Sequence, residues 1–173
     1  MAATPSIRKL HAIGDADRDG LADLTIDVVD GGASIGFMHP LTRERARAFW
    51  EGVGNGVAAG TRVLFVAEDG QGICGTVQLV LAQMENQPHR ADLSKLMVHR
   101  RARKQGTGDA LLRTAEDAAR VLGRTVLVLD TASDDAERLY VRHGWQRVGA
   151  IPDYALWPDG RPCATVVYYR KLA

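Results

Sequence analysis

The chain has 173 residues, 46% of them hydrophobic and 25% charged, which suits one domain around one sizeable core, and residues 1–173 are read as such. A formal net charge of +1 excludes a surface that holds polyanions over its whole extent, so any attraction for phosphate is local. No apolar run approaches the roughly 20 residues that span a bilayer, and the start "MAATPSIRKLHAIG" has no uninterrupted apolar core after a basic start.

In chain order, residues 7–13 ("IRKLHAI") predict a first strand, and residues 15–30 an amphipathic helix with Leu21, Leu24, Ile26, Val28 and Val29 as apolar positions. Gly31 and Pro40 bracket a stop. A second helix then runs from Thr42 to about Ala59, with Trp50 as core. Residues 61–69 and 72–83 read as strands joined by a hairpin turn at Asp69–Gly70, and 89–98 as the next strand. Residues 106–122 form a helix with Leu111, Ala115, Ala118 and Leu122 on one face, and Gly123 ends it. The β-branched run 125–131 is a buried strand. Ser133 caps a short helix reaching about His143, and strands 146–151 and 164–172 close the chain around a loop with Tyr154, Trp157 and the Pro-Asp-Gly turn. The order β-α-α-β-β-β-α-β-α-β-β makes an α/β (α+β) protein with a mixed sheet and helices on its faces, not a dinucleotide-binding alternation.

The densest chemistry lies in "LMVHRRARKQGTGDALL", residues 96–112. Here a strand hands over to a helix whose first N–H groups have no partner, two glycines allow close backbone approach, and Arg100, Arg101, Arg103 and Lys104 add charge. Those residues fit an anion cradle, and they also fit a solvated basic loop. The spacing is neither a Walker loop nor a three-glycine Rossmann turn, and no aromatic residues interleave as a nucleic-acid surface requires. The cysteines, Cys74 and Cys163, give no disulfide framework and no zinc spacing, which fits a reducing compartment. The five histidines are scattered without metal-ligand spacing, so no metal is expected.

The same segment resembles the acyl-CoA-binding motif of the GNAT acetyltransferase superfamily. Val98, Arg103, Gly106, Gly108, Leu111 and Leu112 fall in register with it. "LVLDTASDDAERLYVRHGW" resembles the family's second motif through Ser133, Ala136, Leu139, Tyr140, Gly144 and Trp145. "GGASIGF", "KLMV" and the "PDG" loop are similar to the tabtoxin-resistance type. Lys104 stands where the family usually has Gly, His99-Arg100 where x-Pro is common, and Ser133 where Asn is frequent.

The resemblance implies a mostly antiparallel sheet of about seven strands with four helices, and acetyl-CoA as acetyl donor. It implies transfer to a primary amine of a small molecule, directly within a ternary complex, since neither cysteine lies in a motif. A non-catalytic acyl-CoA sensor and an enzyme acting on a protein amine are the alternatives. Leu96, Met97 and Val98 would pair with the pantetheine arm, the Val98 N–H serving as oxyanion donor. Arg103, Lys104, Gln105, Gly106, Thr107, Gly108, Asp109, Ser133 and Tyr140 would complete the cofactor site. Tyr140 matches the general acid. Asp92, placed by strand alternation on one face with Ser94, Leu96 and Val98, and Asp130, at the end of the buried strand, are the candidate bases. Ser34, Phe37, Asp130 and Tyr154 are expected to border the acceptor. A cytoplasmic monomer or homodimer without nucleic-acid or membrane contact is expected.

Overall fold

A computed structural model describes residues 5–173. Strand β1 (Ser6–Leu10) is followed by helices α1 (Asp15–Asp30) and α2 (Arg43–Ala58) and the strands β2 (Arg62–Asp69), β3 (Gly72–Leu81) and β4 (Arg90–Val98). A turn of 3₁₀ helix at Arg100–Ala102 leads to α3 (Thr107–Val121), then β5 (Val126–Thr131), α4 (Asp134–Arg142), β6 (Gln146–Leu156) and β7 (Pro162–Lys171). The seven strands form one sheet in the order β1-β2-β3-β4-β5-β7-β6, antiparallel except where β4 meets β5.

Strand alternation sorts the core into two sides. Val63, Phe65 and Ala67 of β2 face α3 with Leu111, Leu112, Ala115 and Ala119, whereas Leu64 and Val66 face α1 and α2 with Leu21, Leu24, Val28 and Trp50. Trp50 is fully buried, and its indole N–H donates to Thr25 Oγ1 at 2.8 Å, locking α2 onto α1. Truncation at such a site costs about 3–5 kcal/mol.

Two element boundaries differ from the sequence reading for packing reasons. The first strand ends at Leu10, the last residue opposite β2, and Ile13 packs toward α2 instead of extending the ladder. Strand β6 continues to Leu156, so Tyr154 lies on a strand rather than in a loop; the ladder is irregular between Ile151 and Ala155, with Asp153 at φ 51°. In α3, Leu122 is exposed and Ala119 takes the buried place, because the inward stripe follows 111, 112, 115 and 119.

The sheet opens at its middle. β4 and β5 pair in parallel only over Arg90–Asp92 with Val126–Val128. Beyond that, β4 stays with β3 up to Val98, and β5 stays with β7 up to Thr131. A gap therefore lies between Leu93–Val98 and Leu129–Thr131.

Candidate active site

On the α3 side, the cradle is built of main chain. Gly106, the residue that caps α3, has φ 83°, a conformation that side chains with a Cβ avoid. Lys104 also has a positive φ, 58°, a conformation that glycine adopts without strain. The N–H groups of Thr107, Gly108 and Asp109 open the helix with no acceptor among the described residues; the first N–H paired within this turn is that of Ala110, to Gly106. A Cβ at Gly108 would meet only Leu139 and Val98, at 3.6 and 3.7 Å. The fold itself thus leaves room for alanine there, and the open space outside is what a close-approaching ligand would use. Thr107, buried, anchors the loop by donating from Oγ1 to the Ala102 carbonyl at 3.2 Å.

The positive charge of this segment divides. Arg100 bonds Asp27 of α1 through both its backbone N–H and its guanidinium, and Arg101 bonds Asp69 and the Ile73 carbonyl. Burial pushes the Asp27 carboxyl up, but the two Arg100 hydrogen bonds and the charges of His99 and Arg100 outweigh it and hold the carboxyl below its ordinary range. These two arginines fasten the loop to the fold. Arg103 and Lys104 carry no carboxylate partner among the described residues, and Arg103 donates from Nε to the Val98 carbonyl at 3.1 Å. Gln105 reaches back to the Arg101 carbonyl. Asp109 gives its carboxylate to Arg113 and His143, both at 2.7 Å, so only its N–H remains for an anion. Arg113 first and His143 second hold that carboxyl below its usual range.

Nearby, Ser133 Oγ accepts from the Ala136 N–H at 3.3 Å and caps α4. Tyr140 is buried beside Trp145 and Tyr168, with ring centroids 5.6 and 6.1 Å away. Burial, with the negative charge of Asp130 adding to it, pushes its phenol well above the ordinary value. The group therefore stays protonated at neutral pH.

On the α1–α2 side, a cleft of about 490 Å³ lies over the gap. Asp130, Tyr154 and Thr165 form one wall, and Arg62, Gln78, Asp92 and Lys95 the other, with Phe49 across the top. Asp130 accepts from Thr165 Oγ1 at 2.7 Å, whereas Asp92 is paired to Arg90 at 2.6 Å. Phe37 stands outside the cleft lining and touches it only through Phe49, edge-on at 5.2 Å. Ser34 also stands outside; its hydroxyl donates to the Leu156 carbonyl and its oxygen lies 3.5 Å from the Cys163 sulfur.

One expectation about β4 is corrected by a bulge. Ser94 is opposite Gln78 and Met97 opposite Thr76, so two residues of β4, Lys95 and Leu96, face the single Val77. Lys95 takes φ 52° to absorb the extra residue. The alternation therefore reverses there. Asp92 and Ser94 face the cleft, whereas Leu96 and Val98 pack on the α3 side, together with Ala91 and Leu93. Asp92 does not share a face with Val98. Arg62, Gln78, Lys95 and Thr165 are cleft residues that the sequence reading missed. Only Lys95 left a signal, the consecutive polar pair Ser94-Lys95 inside an otherwise alternating strand.

The sheet is thus split at one point, with an open helix N-terminus on one side and a cleft of about 490 Å³ on the other. Residues 60–147 match the family model described as Acetyltransferase (GNAT) domain. An uncharacterized N-acetyltransferase from the hisH-hisA intergenic region of Azospirillum brasilense is 32% identical over 127 residues, 72% of this chain and 74% of that protein. An N-acetyltransferase structure from Staphylococcus aureus Mu50 superimposes with TM-score 0.81 at 16% identity, covering 99% of this chain and all of that one. The structure of yncA from Salmonella typhimurium, solved with its cofactor acetyl-CoA, gives 0.78 at 20% identity over 99% of this chain and 95% of that one. The chain belongs to the GNAT acetyltransferase family, and it is an acetyl-CoA-dependent N-acetyltransferase. No helix among the described residues is long and apolar enough to cross a membrane.

Proposed function

We propose that the protein transfers an acetyl group to the primary amine of a small molecule, directly, with donor and acceptor held together across the gap between β4 and β5. The observation that carries this reading is the gap itself, open to the cradle on one side and to the cleft on the other. Acetyl-CoA supplies the activated thioester when bound. The open amides of Thr107, Gly108 and Asp109, with Arg103 and Lys104, fit its diphosphate, and the free edge of Leu96–Val98 fits its amide-bearing arm.

The chain's own groups match the rest of the chemistry. An incoming ammonium must lose a proton before it attacks, and Asp130, lining the cleft with only a hydroxyl partner, is placed to take it or to relay it through water. Asp92 is the second carboxylate, but Arg90 neutralises it, which favours Asp130 in the role. The Val98 N–H is the donor we assign to the developing oxyanion, a contribution worth roughly 3–4 kcal/mol where such donors have been removed. Tyr140, whose phenol is protonated at neutral pH, is the group we assign to hand a proton to the departing thiolate. A covalent enzyme intermediate finds no support: Cys74 is fully buried, and burial, aided by Asp69, pushes its thiol up to about 11.

Purified protein given acetyl-CoA and a panel of small primary amines should release free thiol and acetylated amine in equal amounts. Tight acetyl-CoA binding with no release across the panel would leave a binding module instead.

A further inference from the structure

Resting on the reading of the cleft as the acceptor site, we infer that the acceptor carries an anionic group beside its amine, an aminocarboxylate held by Lys95 and Arg62.

The wall made by β2, β3 and β4 brings two cations together and gives neither a carboxylate. Arg62 bonds the Gln78 side-chain carbonyl at 2.7 Å, and among the described residues it has no acidic partner within 4.0 Å. Lys95 is half-buried, placed 5.6 Å over the Phe49 ring, and likewise lacks an acidic partner at that distance. Burial lowers the pKa of Lys95, the charge of Asp130 opposes this, and Arg62 lowers it further. The two cations therefore sense each other. Like charges drawn into a partly dry cleft are costly unless an anion joins them.

The fold gives up local stability to make this wall. Lys95 occupies a left-handed conformation unfavourable to a lysine. Gly56 sits inside α2, where glycine is less favourable than alanine. A Cβ there would come within 2.7 Å of Arg62 Cδ and 3.0 Å of its Nε, so the glycine makes room for the arginine. Gln78 is fully buried; its carbonyl is committed to Arg62 and its Nε2 has no acceptor. That leaves a third unmet donor on the same wall.

Across the cleft the polarity inverts. Asp130 accepts from Thr165 and has no cation within 4.0 Å among the described residues, although its charge reaches Lys95. A ligand with a carboxylate toward Lys95 and Arg62 and its amine toward Asp130 satisfies both walls at once. It also sets the nitrogen beside the gap. An amine without the carboxylate satisfies one wall and leaves the two cations facing each other.

The test uses the full chain saturated with CoA, so that binding is read without turnover. Each common L-amino acid is titrated by calorimetry beside the amine left by removing its carboxylate, for example leucine against 3-methylbutylamine. At least one acid should bind tenfold or more tighter than its amine. In Lys95→Asn, which tolerates the left-handed backbone, and in Arg62→Met, which keeps the stem, that preference should fall below threefold while CoA binding is retained. If no acid outcompetes its amine, or if both variants keep the preference, the inference is overturned. Thiol release with acetyl-CoA on the same pairs separates this from the proposed activity. Acetylation of amines as readily as of acids leaves the acetyltransferase standing without the anionic subsite. Preferential acid binding with no thiol release leaves the subsite standing without the small-amine activity.

Discussion

On the α3 side, the cradle presents the open main-chain N–H groups of three consecutive residues, 107–109, whereas on the opposite side the cleft gathers Phe49, Arg62, Gln78, Lys95 and Asp130 from five different elements. The difference governs what substitution can do to each. A cradle made of backbone responds to changes of conformation, and its side chains tolerate replacement. A cleft made of side chains responds to changes of charge and length at single positions. The same difference fits a donor whose diphosphate is invariant facing acceptors that vary.

The sharpest way to break the comparison is at the gap, where the two regions meet. Tyr140→Phe should lower kcat by about 10²-fold or more, within the range of a positioned acid, while the thermal midpoint changes little, since the ring and its contacts with Trp145 and Tyr168 persist. Asp130→Asn should lower turnover at least tenfold in the thiol-release assay. Asp92→Asn also tests a base, and the pairing with Arg90 makes its loss the smaller of the two. Full turnover across pH in both variants would place the base elsewhere.

Within the cradle, conformation and contact separate. Gly106→Val forces a β-branched residue into φ 83° and should cost about 1–2 kcal/mol of stability together with CoA affinity. Gly108→Ala should leave the unfolding midpoint unchanged, because its Cβ meets nothing closer than 3.6 Å. Any rise in the KM for acetyl-CoA in that variant then reports close approach of the ligand alone.

The smallest effect concerns how the cradle is fastened. Asp27 has a lowered pKa in the fold, so its contribution is complete above its ordinary value near 3.8 and is lost as pH falls through the lowered one. Thermal unfolding of Asp27→Asn should be about 1–2 kcal/mol weaker than wild type at pH 7, and the two should converge as pH falls through the lowered value. A constant difference at all pH values would mean that Arg100 is held by something other than this carboxylate.

The cradle was legible because its requirements are local: a strand end, glycine spacing and a helix start lie within a dozen residues. Its charge was only half legible. Arg100 and Arg101 count toward the local positive charge in the sequence, and the fold brings Asp27 and Asp69 beside them. The cleft was scarcely legible at all. Asp130 and Tyr154 line it, but Ser34 and Phe37 do not, because the segment after α1 packs against the Leu156 carbonyl and Phe49 rather than over the gap. Arg62, Gln78 and Thr165 sit on strands that look unremarkable in one dimension; pairing of β2, β3 and β4 brings Arg62 and Gln78 to the wall of Lys95, and pairing of β7 with β5 brings Thr165 to Asp130.

The extra residue at Lys95 makes β4 a strand read in two phases. Upstream of it, even-numbered side chains serve the acceptor; downstream, the same parity serves the donor side. Removing Lys95 would restore a uniform phase with Leu96 and Val98 still on the α3 side, so the extra residue places a lysine without disturbing the donor edge, and its deletion should weaken acceptor capture while CoA binding persists.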